Sequence, residues 1–103
     1  MLEKIANFKR ERVTKYLTKA DILGQLAEEA AEVSQAALKL QRIEVQNNLP
    51  EMAPPEAWDH LQEEVSDLFL VLDILEVYPS DEIMNAKAGR WADRLENQWE
   101  RLA

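Results

Sequence analysis

Leu23-Gly-Gln-Leu-Ala-Glu-Glu-Ala-Ala-Glu-Val33 is the stretch that decides the fold, because it combines helix-forming residues with two acids on one face. Glu29 and Glu32 are three residues apart, and residues at this spacing lie one turn apart on the same side of a helix. At about 100° per residue, both acids fall on the shoulder of the apolar stripe of this helix. Glu28 points nearly opposite to the stripe, where an ordinary surface acid is expected.

A second stretch, Leu61-Gln-Glu-Glu-Val-Ser-Asp67, repeats this arrangement with Glu64 and Asp67. Glu64 falls inside the apolar stripe of its helix, and Asp67 falls at the edge of that stripe. A carboxylate in an apolar stripe is costly unless it is paired, protonated or bound to a metal. If the two helices face each other, their four carboxylates meet at one point.

The charge balance of the central segment favours a metal over internal ion pairs. From residue 21 to residue 79 the chain has 13 acids but only Lys39 and Arg42 as bases. Clustered oxygen ligands without enough cationic partners favour Mg²⁺ or a similar ion. The alternative is a solvated acidic face, which is the common role of Glu-rich helices. Three acids that point away from the stripe are expected to be solvated: Asp59, Glu63 and Asp73.

Length and composition limit the class of protein. A chain of 103 residues is expected to form one helical domain over residues 1–103, with only a small core. The absence of cysteine excludes disulfides, thiolate metal sites and a cysteine nucleophile. The net charge of -8 argues against nucleic-acid binding, and no apolar run approaches the roughly 20 residues of a membrane span. No secretory leader opens the chain, so a cytoplasmic protein that binds neither nucleic acid nor membrane is expected.

The first half of the chain is expected to contain two helices. The first covers residues 1 to about 19 and is basic, which suits a solvated amphipathic helix or a surface that covers acidic groups. The second begins with Thr18 or Asp21 as its N-cap and runs to about Gln46. The prolines and asparagines of residues 47–55 predict a loop after it.

The second half is expected to contain two more helices. The third begins near Glu56 and runs to about Val77, and Ser80 caps the fourth. Residues 68–75 are apolar nearly all round, so we expect this part of the third helix to be covered on more than one side. In a chain this short, the second cover is expected to come from another subunit.

One set of bases on the fourth helix is a candidate for function. Lys87, Arg90 and Arg94 share one face of this helix. This face is either a salt-bridged surface or a cationic strip that binds phosphates opposite the metal, and the acidic site favours the second interpretation.

His60, the only histidine, lies one turn before Glu64 and is expected to be a packed or surface residue rather than a ligand.

The pattern Glu28-Glu29-x-x-Glu32 followed by Glu64-x-x-Asp67 resembles the EExxE…ExxD signature of the all-α nucleoside triphosphate pyrophosphohydrolases, the MazG-like superfamily. That superfamily also includes dimeric dUTPases, dCTP pyrophosphatases and phosphoribosyl-ATP pyrophosphohydrolases. The resemblance covers roughly residues 20–95. The spacer from Glu32 to Glu64 is longer than in many members, and Trp91 stands where the last helix of the family carries Asn.

The resemblance implies a four-helix, all-α MazG-like bundle completed by homodimerisation, and it leaves a further pairing into tetramers open. It also implies Mg²⁺, with Mn²⁺ as an alternative, on four carboxylates: Glu29, Glu32, Glu64 and Asp67. The implied reaction converts a nucleoside triphosphate and water to the monophosphate and pyrophosphate. Glu29 or Glu32 is the candidate general base. Phosphates would be bound by Lys87, Arg90 and Arg94, and the nucleobase by Gln25, Trp58 and Trp91.

Three alternatives to this interpretation are open at the level of the sequence. One is another enzyme with the same site, of the phosphoribosyl-ATP or dUTP/dCTP type. The second is a non-catalytic helical interaction module that keeps the carboxylates as a structural metal site. The third is an accessory protein that binds a partner through three bases of the first helix: Lys9, Arg10 and Arg12.

Overall fold

The computed structural model describes residues 7–46 and 54–102, and the helix bounds are those of the described parts. The chain order is α1 (Asn7–Thr14), α2 (Lys19–Gln46), α3 (Pro54–Ile74) and α4 (Asp81–Leu102). No strand is present among these residues, which confirms the expected all-α fold class. Most of the predicted loop lies in residues 47–53, outside the described residues.

The first helix ends about five residues earlier than the sequence predicted. The backbone N–H groups of Tyr16 and Leu17 both donate to the carbonyl of Val13, at 3.1 and 3.2 Å, which closes the last turn. Thr18 then serves as the N-cap of α2, and an N-cap residue has non-helical backbone angles. The prediction of one helix to about residue 19 was therefore wrong at its C-terminal end, because capping of α2 requires a break.

A capping box begins α2, and both predicted N-cap candidates take part in it. The Asp21 N–H donates to Thr18 Oγ1 at 3.1 Å, and the Thr18 N–H donates to Asp21 Oδ2 at 2.9 Å. Two helix-end donors are thereby satisfied reciprocally. The backbone and side-chain hydrogen bonds from Thr18 lower the pKa of the Asp21 carboxyl. The described part of α2 is helical up to Gln46, its last described residue.

The third helix, predicted to run from near Glu56 to about Val77, ends about three residues earlier than predicted. It begins at Pro54 and ends at Ile74. Glu76 has a positive φ of 59°, and the N–H of Val77 donates to the carbonyl of Leu72 at 3.0 Å. This is a Schellman motif, in which a residue in the left-handed conformation ends the helix and the N–H groups that follow donate to its last carbonyls. The left-handed residue is not a glycine, so the sequence offered no clear signal for this helix end.

The last helix begins as predicted. The N–H of Ile83 donates to Ser80 Oγ at 3.2 Å, which confirms Ser80 as the N-cap. Asp81 and Glu82 occupy the first turn, where the helix dipole favours negative charge. Every described residue of α4 is exposed, including its two tryptophans, Trp91 and Trp99.

The core lies between α2 and α3, which pack against each other over much of their length. Glu29 and Glu32 of α2 lie beside Glu64 and Asp67 of α3 in the acidic cluster. Further along α2, Lys39 lines one pocket together with His60, which precedes Glu64 on α3. The two helices are therefore antiparallel neighbours. Their buried apolar residues are few: Ile22, Ala36, Leu40, Ala57 and Val71.

An ionic cluster joins α1 to the end of α3. The guanidinium of Arg10 donates through Nη2 to the carbonyl and to Oδ1 of Asp73, at 3.0 and 3.2 Å. The hydroxyl of Tyr78 donates to the same carboxylate oxygen at 2.5 Å. Asp73 is only 8% exposed. The prediction that Asp73 is solvated was wrong because α1 and the residues after α3 cover it. Asp59 and Glu63 are exposed, as predicted.

The single chain leaves an unusually large surface. Its radius of gyration is 17.9 Å, whereas a compact chain of this length has about 13 Å. Its accessible surface is 8816 Å², against about 5900 Å² for a compact monomer of this mass. None of the described helices combines the length and the hydropathy needed to cross a membrane.

Candidate metal centre

Four carboxylates converge between α2 and α3, as the two sequence stretches predicted. Glu29 and Glu32 come from successive turns of α2, and Glu64 and Asp67 come from successive turns of α3. Each residue offers one carboxylate oxygen, and these four oxygens all lie within 4.8 Å of one another. The antiparallel packing of the two helices places the two acid pairs side by side.

Two oxygens of this cluster are buried without a partner. Oε2 of Glu29 and Oε2 of Glu64 have no hydrogen-bond partner among the described residues. The Glu64 side chain is only 15% exposed. A buried carboxylate oxygen without a donor is costly, and several carboxylates close together add mutual repulsion. A cation at this point would remove both costs.

The groups around the cluster orient two of its carboxylates. Gln25 donates from Nε2 to Oε1 of Glu29 at 2.8 Å, across one turn of α2. Nε2 of His60 lies 3.7 Å from Oε1 of Glu64, across one turn of α3. Both contacts involve Oε1, so Oε2 of Glu29 and Oε2 of Glu64 are available to another ligand. Gln25 was predicted to contact a nucleobase, and the structure shows it holding a carboxylate of the cluster.

The donor set fits a small divalent cation. Mg²⁺ is bound through carboxylate oxygens and usually keeps several waters, so it does not need a closed protein cage. All four residues offer oxygen, and Glu32 is exposed, so the centre is open on one side. An all-oxygen donor set suits hard cations.

A pocket of about 290 Å³ opens beside the cluster. Glu32 and Glu64 belong to both the cluster and the pocket wall, so the two are continuous. The remaining wall residues come from both helices and include one lysine: Gln35, Ala36, Lys39 and His60. Lys39 is one of the two bases of the central segment, and it was not predicted to lie at the site. Its position seven residues after Glu32, which is two helical turns, is the signal that could have found it.

Among the described residues, the other predicted site residues make no hydrogen bond or ion pair with the cluster. Trp58 is 55% exposed on α3, and Trp91 is 62% exposed on α4. Among the described residues, no hydrogen bond or ion pair joins the α4 bases to the cluster. These bases are Lys87, Arg90 and Arg94. They are exposed, so their predicted role with phosphates stays a prediction.

No family model, curated protein sequence or solved structure matches this chain.

Proposed function

We propose that this chain is a Mg²⁺-dependent nucleoside triphosphate pyrophosphohydrolase. It would convert a nucleoside or deoxynucleoside triphosphate and water to the monophosphate and pyrophosphate, and one such role is the cleansing of the nucleotide pool. The observation that carries the proposal is the convergence of four carboxylate oxygens within 4.8 Å across the α2–α3 interface. The resemblance of the same residues to the EExxE…ExxD signature supports this reaction.

The metal would be held by Glu29, Glu32, Glu64 and Asp67. When bound, Mg²⁺ supplies positive charge to phosphate oxygens and makes a coordinated water more acidic. The two buried Oε2 atoms of Glu29 and Glu64 are the ligands that most need such a charge, since no donor among the described residues contacts them. Gln25 holds Glu29 from its other oxygen, so that residue would act as a positioning residue.

A carboxylate of this chain would accept the proton that the attacking water loses. Water attacks the α-phosphorus, the bond from that phosphorus to the bridging oxygen breaks, and pyrophosphate leaves with the electron pair. Glu29 or Glu32 accepts the proton of the attacking water. Glu32 is exposed and lines the adjacent pocket, so it is the better placed of the two.

A second copy of the chain is part of the proposal. Four large apolar residues of α4 recur at helical spacing on one face and are exposed: Met84, Trp91, Leu95 and Leu102. The exposed apolar side chains of this face are available for pairing with a second copy. Lys87, Arg90 and Arg94 lie beside this apolar face. Pairing through α4 would allow these three bases to contact the phosphates of a substrate bound to the dimer.

The test is a pyrophosphate-release assay on the common nucleoside triphosphates, several damaged ones and phosphoribosyl-ATP, with Mg²⁺ and with EDTA. We expect metal-dependent release of pyrophosphate and a monophosphate from one or a few substrates. Preference for phosphoribosyl-ATP, dUTP or dCTP would identify one of the related enzymes with the same site. Release of orthophosphate would contradict attack at the α-phosphorus. Metal binding without any turnover would favour the non-catalytic interaction module.

A further inference from the structure

The pocket beside the acidic cluster contains a lysine that forms no ion pair with the described acids. Lys39 lines this pocket and is half-buried. Within the described part of the chain, no carboxylate lies within 4.0 Å of its ammonium group, although Glu32 and Glu64 line the same pocket. Arg42, the other base of the central segment, is exposed and does not line the pocket. The pocket therefore offers a free ammonium group next to the proposed metal ligands.

The size and the lining of the pocket limit what it can bind. Its volume of about 290 Å³ is at the lower end of small-molecule sites, which run from about 300 to 1,000 Å³. This volume can hold the phosphates of a nucleotide. The wall is polar, with Ala36 as its one apolar residue and with the amide of Gln35 as a neutral donor. Such a wall suits phosphate oxygens better than a nucleobase.

We propose that this pocket binds the β- and γ-phosphates of the substrate, with Lys39 as the phosphate-binding residue; the inference rests on the proposed function. The α-phosphorus would then lie towards the four carboxylates, because Glu32 and Glu64 are shared by the pocket and the cluster. Lys39 would bind the pyrophosphate as it leaves and would offset the negative charge that develops on it. A lysine acts here as a compact point charge, which is its usual role towards phosphate.

This assignment differs from the one that the sequence favoured. The sequence pointed to the bases of α4, whereas the structure places a base of α2 beside the carboxylates in the same chain. Lys39 is held by the helix that also carries Glu29 and Glu32, so its distance from the cluster does not depend on a second copy. The α4 bases would add to its effect in a dimer and would not replace it.

The experiment compares Lys39→Met with Lys39→Arg and with Arg42→Met, which removes an exposed charge one turn further along α2. Inorganic pyrophosphate with Mg²⁺ is the binding probe, measured by calorimetry, and pyrophosphate release is measured in parallel. We expect Lys39→Met to weaken pyrophosphate binding about 10- to 100-fold, the usual loss for one charged hydrogen bond. It should raise KM while the Mg²⁺-dependent rise in Tm is retained. Lys39→Arg should recover most of the binding, and Arg42→Met should behave as wild type.

The outcomes separate this inference from the proposed function. Turnover with unchanged pyrophosphate binding in Lys39→Met would overturn the role of Lys39 and leave the enzyme assignment standing. Binding that depends on Lys39, without turnover of any triphosphate, would overturn the enzyme assignment and retain the phosphate pocket. Failure of the wild type to bind pyrophosphate would overturn the pocket. If Lys39→Met does not fold, Lys39→Gln provides the same charge loss with a polar end.

Discussion

One carboxylate oxygen of Glu29 on α2 lies within 4.8 Å of one carboxylate oxygen of Glu64 on α3. Oε2 of each residue is buried and has no hydrogen-bond partner among the described residues. The two acids lie far apart in the chain, and the antiparallel packing of their helices brings them together. Like charges at this distance repel each other, so the arrangement is expected to be stabilised by a cation.

Replacing Glu64 by Gln should remove most of the metal affinity. The substitution keeps the shape of the side chain and removes one of the four charges, so Mg²⁺ affinity should fall about 10- to 100-fold. The Tm without metal should not fall, because repulsion in the cluster is reduced. Both quantities are measured by thermal unfolding with and without Mg²⁺. Glu63→Gln, which alters an exposed neighbour, is the matched control. A metal-dependent rise in Tm that is the same in all three proteins would contradict the site.

Replacing Asp73 by Asn should destabilise the attachment of α1 to α3. Arg10 and Tyr78 both donate to Asp73, whose side chain is 11% exposed. Loss of the charge weakens both hydrogen bonds, so the free energy of unfolding should fall by about 1 to 3 kcal/mol. Urea unfolding measures this change. Asp59→Asn removes an exposed charge from the same helix and should leave stability nearly unchanged. Equal effects of the two substitutions on the free energy of unfolding would show that the ionic cluster of Arg10, Asp73 and Tyr78 contributes little to stability.

Tyr78 should make the stability fall in alkaline solution. The hydrogen bond that it donates to Asp73 raises the pKa of Tyr78, and desolvation and the charge of Asp73 act in the same direction. A raised folded-state pKa means that the contribution is fully present below the unfolded tyrosine pKa of about 10. It is lost as the pH rises through the folded pKa.

The measurement is the difference in unfolding free energy between wild type and Tyr78→Phe from pH 7 to pH 11. We expect a constant difference up to about pH 9 and a smaller one above pH 10. Tyr16→Phe, at a tyrosine outside this cluster that is 77% exposed, is the control. A difference that stays constant through pH 11 would show that the hydrogen bond to Asp73 is not important for stability.

The apolar face of α4 should be needed for pairing of two copies. Leu95 is 43% exposed in the single chain, and burial of a leucine in an interface contributes about 1.5 to 3 kcal/mol. Leu95→Lys should therefore raise the dissociation constant of the dimer at least about tenfold, measured by analytical ultracentrifugation. Asn97→Lys adds the same charge on the opposite side of α4 and should leave the dimer intact. A monomeric wild type, or a dimer unaffected by Leu95→Lys, would exclude this interface.

Much of the fold could be predicted because helix starts depend on neighbouring residues. Thr18 with Asp21, and Ser80 with Ile83, are hydrogen-bonded across three residues. Such contacts are visible in the sequence itself. The end of α3 was predicted three residues too late, because its left-handed residue is Glu76 and not a glycine.

The candidate site was predictable in part for a similar reason. The spacing of Glu29 with Glu32, and of Glu64 with Asp67, places each pair on one helix face whatever surrounds it. Lys39 was not assigned, because its distance from Glu64 depends on how α3 packs against α2. The bases of α4 were assigned from their shared helix face, the acidic site in the same chain and the family resemblance, none of which gives their distance from the carboxylates.

The sequence by itself determined the four helices, the caps of α2 and α4, and the two acid pairs, since all of these follow from interactions within a turn or two of helix. The tertiary structure alone decided that the acid pairs meet, that Lys39 lies beside them, and that Asp73 is buried by Arg10 and Tyr78. Burial and convergence depend on which distant segment packs against a residue. Local spacing specifies the face on which a side chain lies, and packing specifies what it contacts.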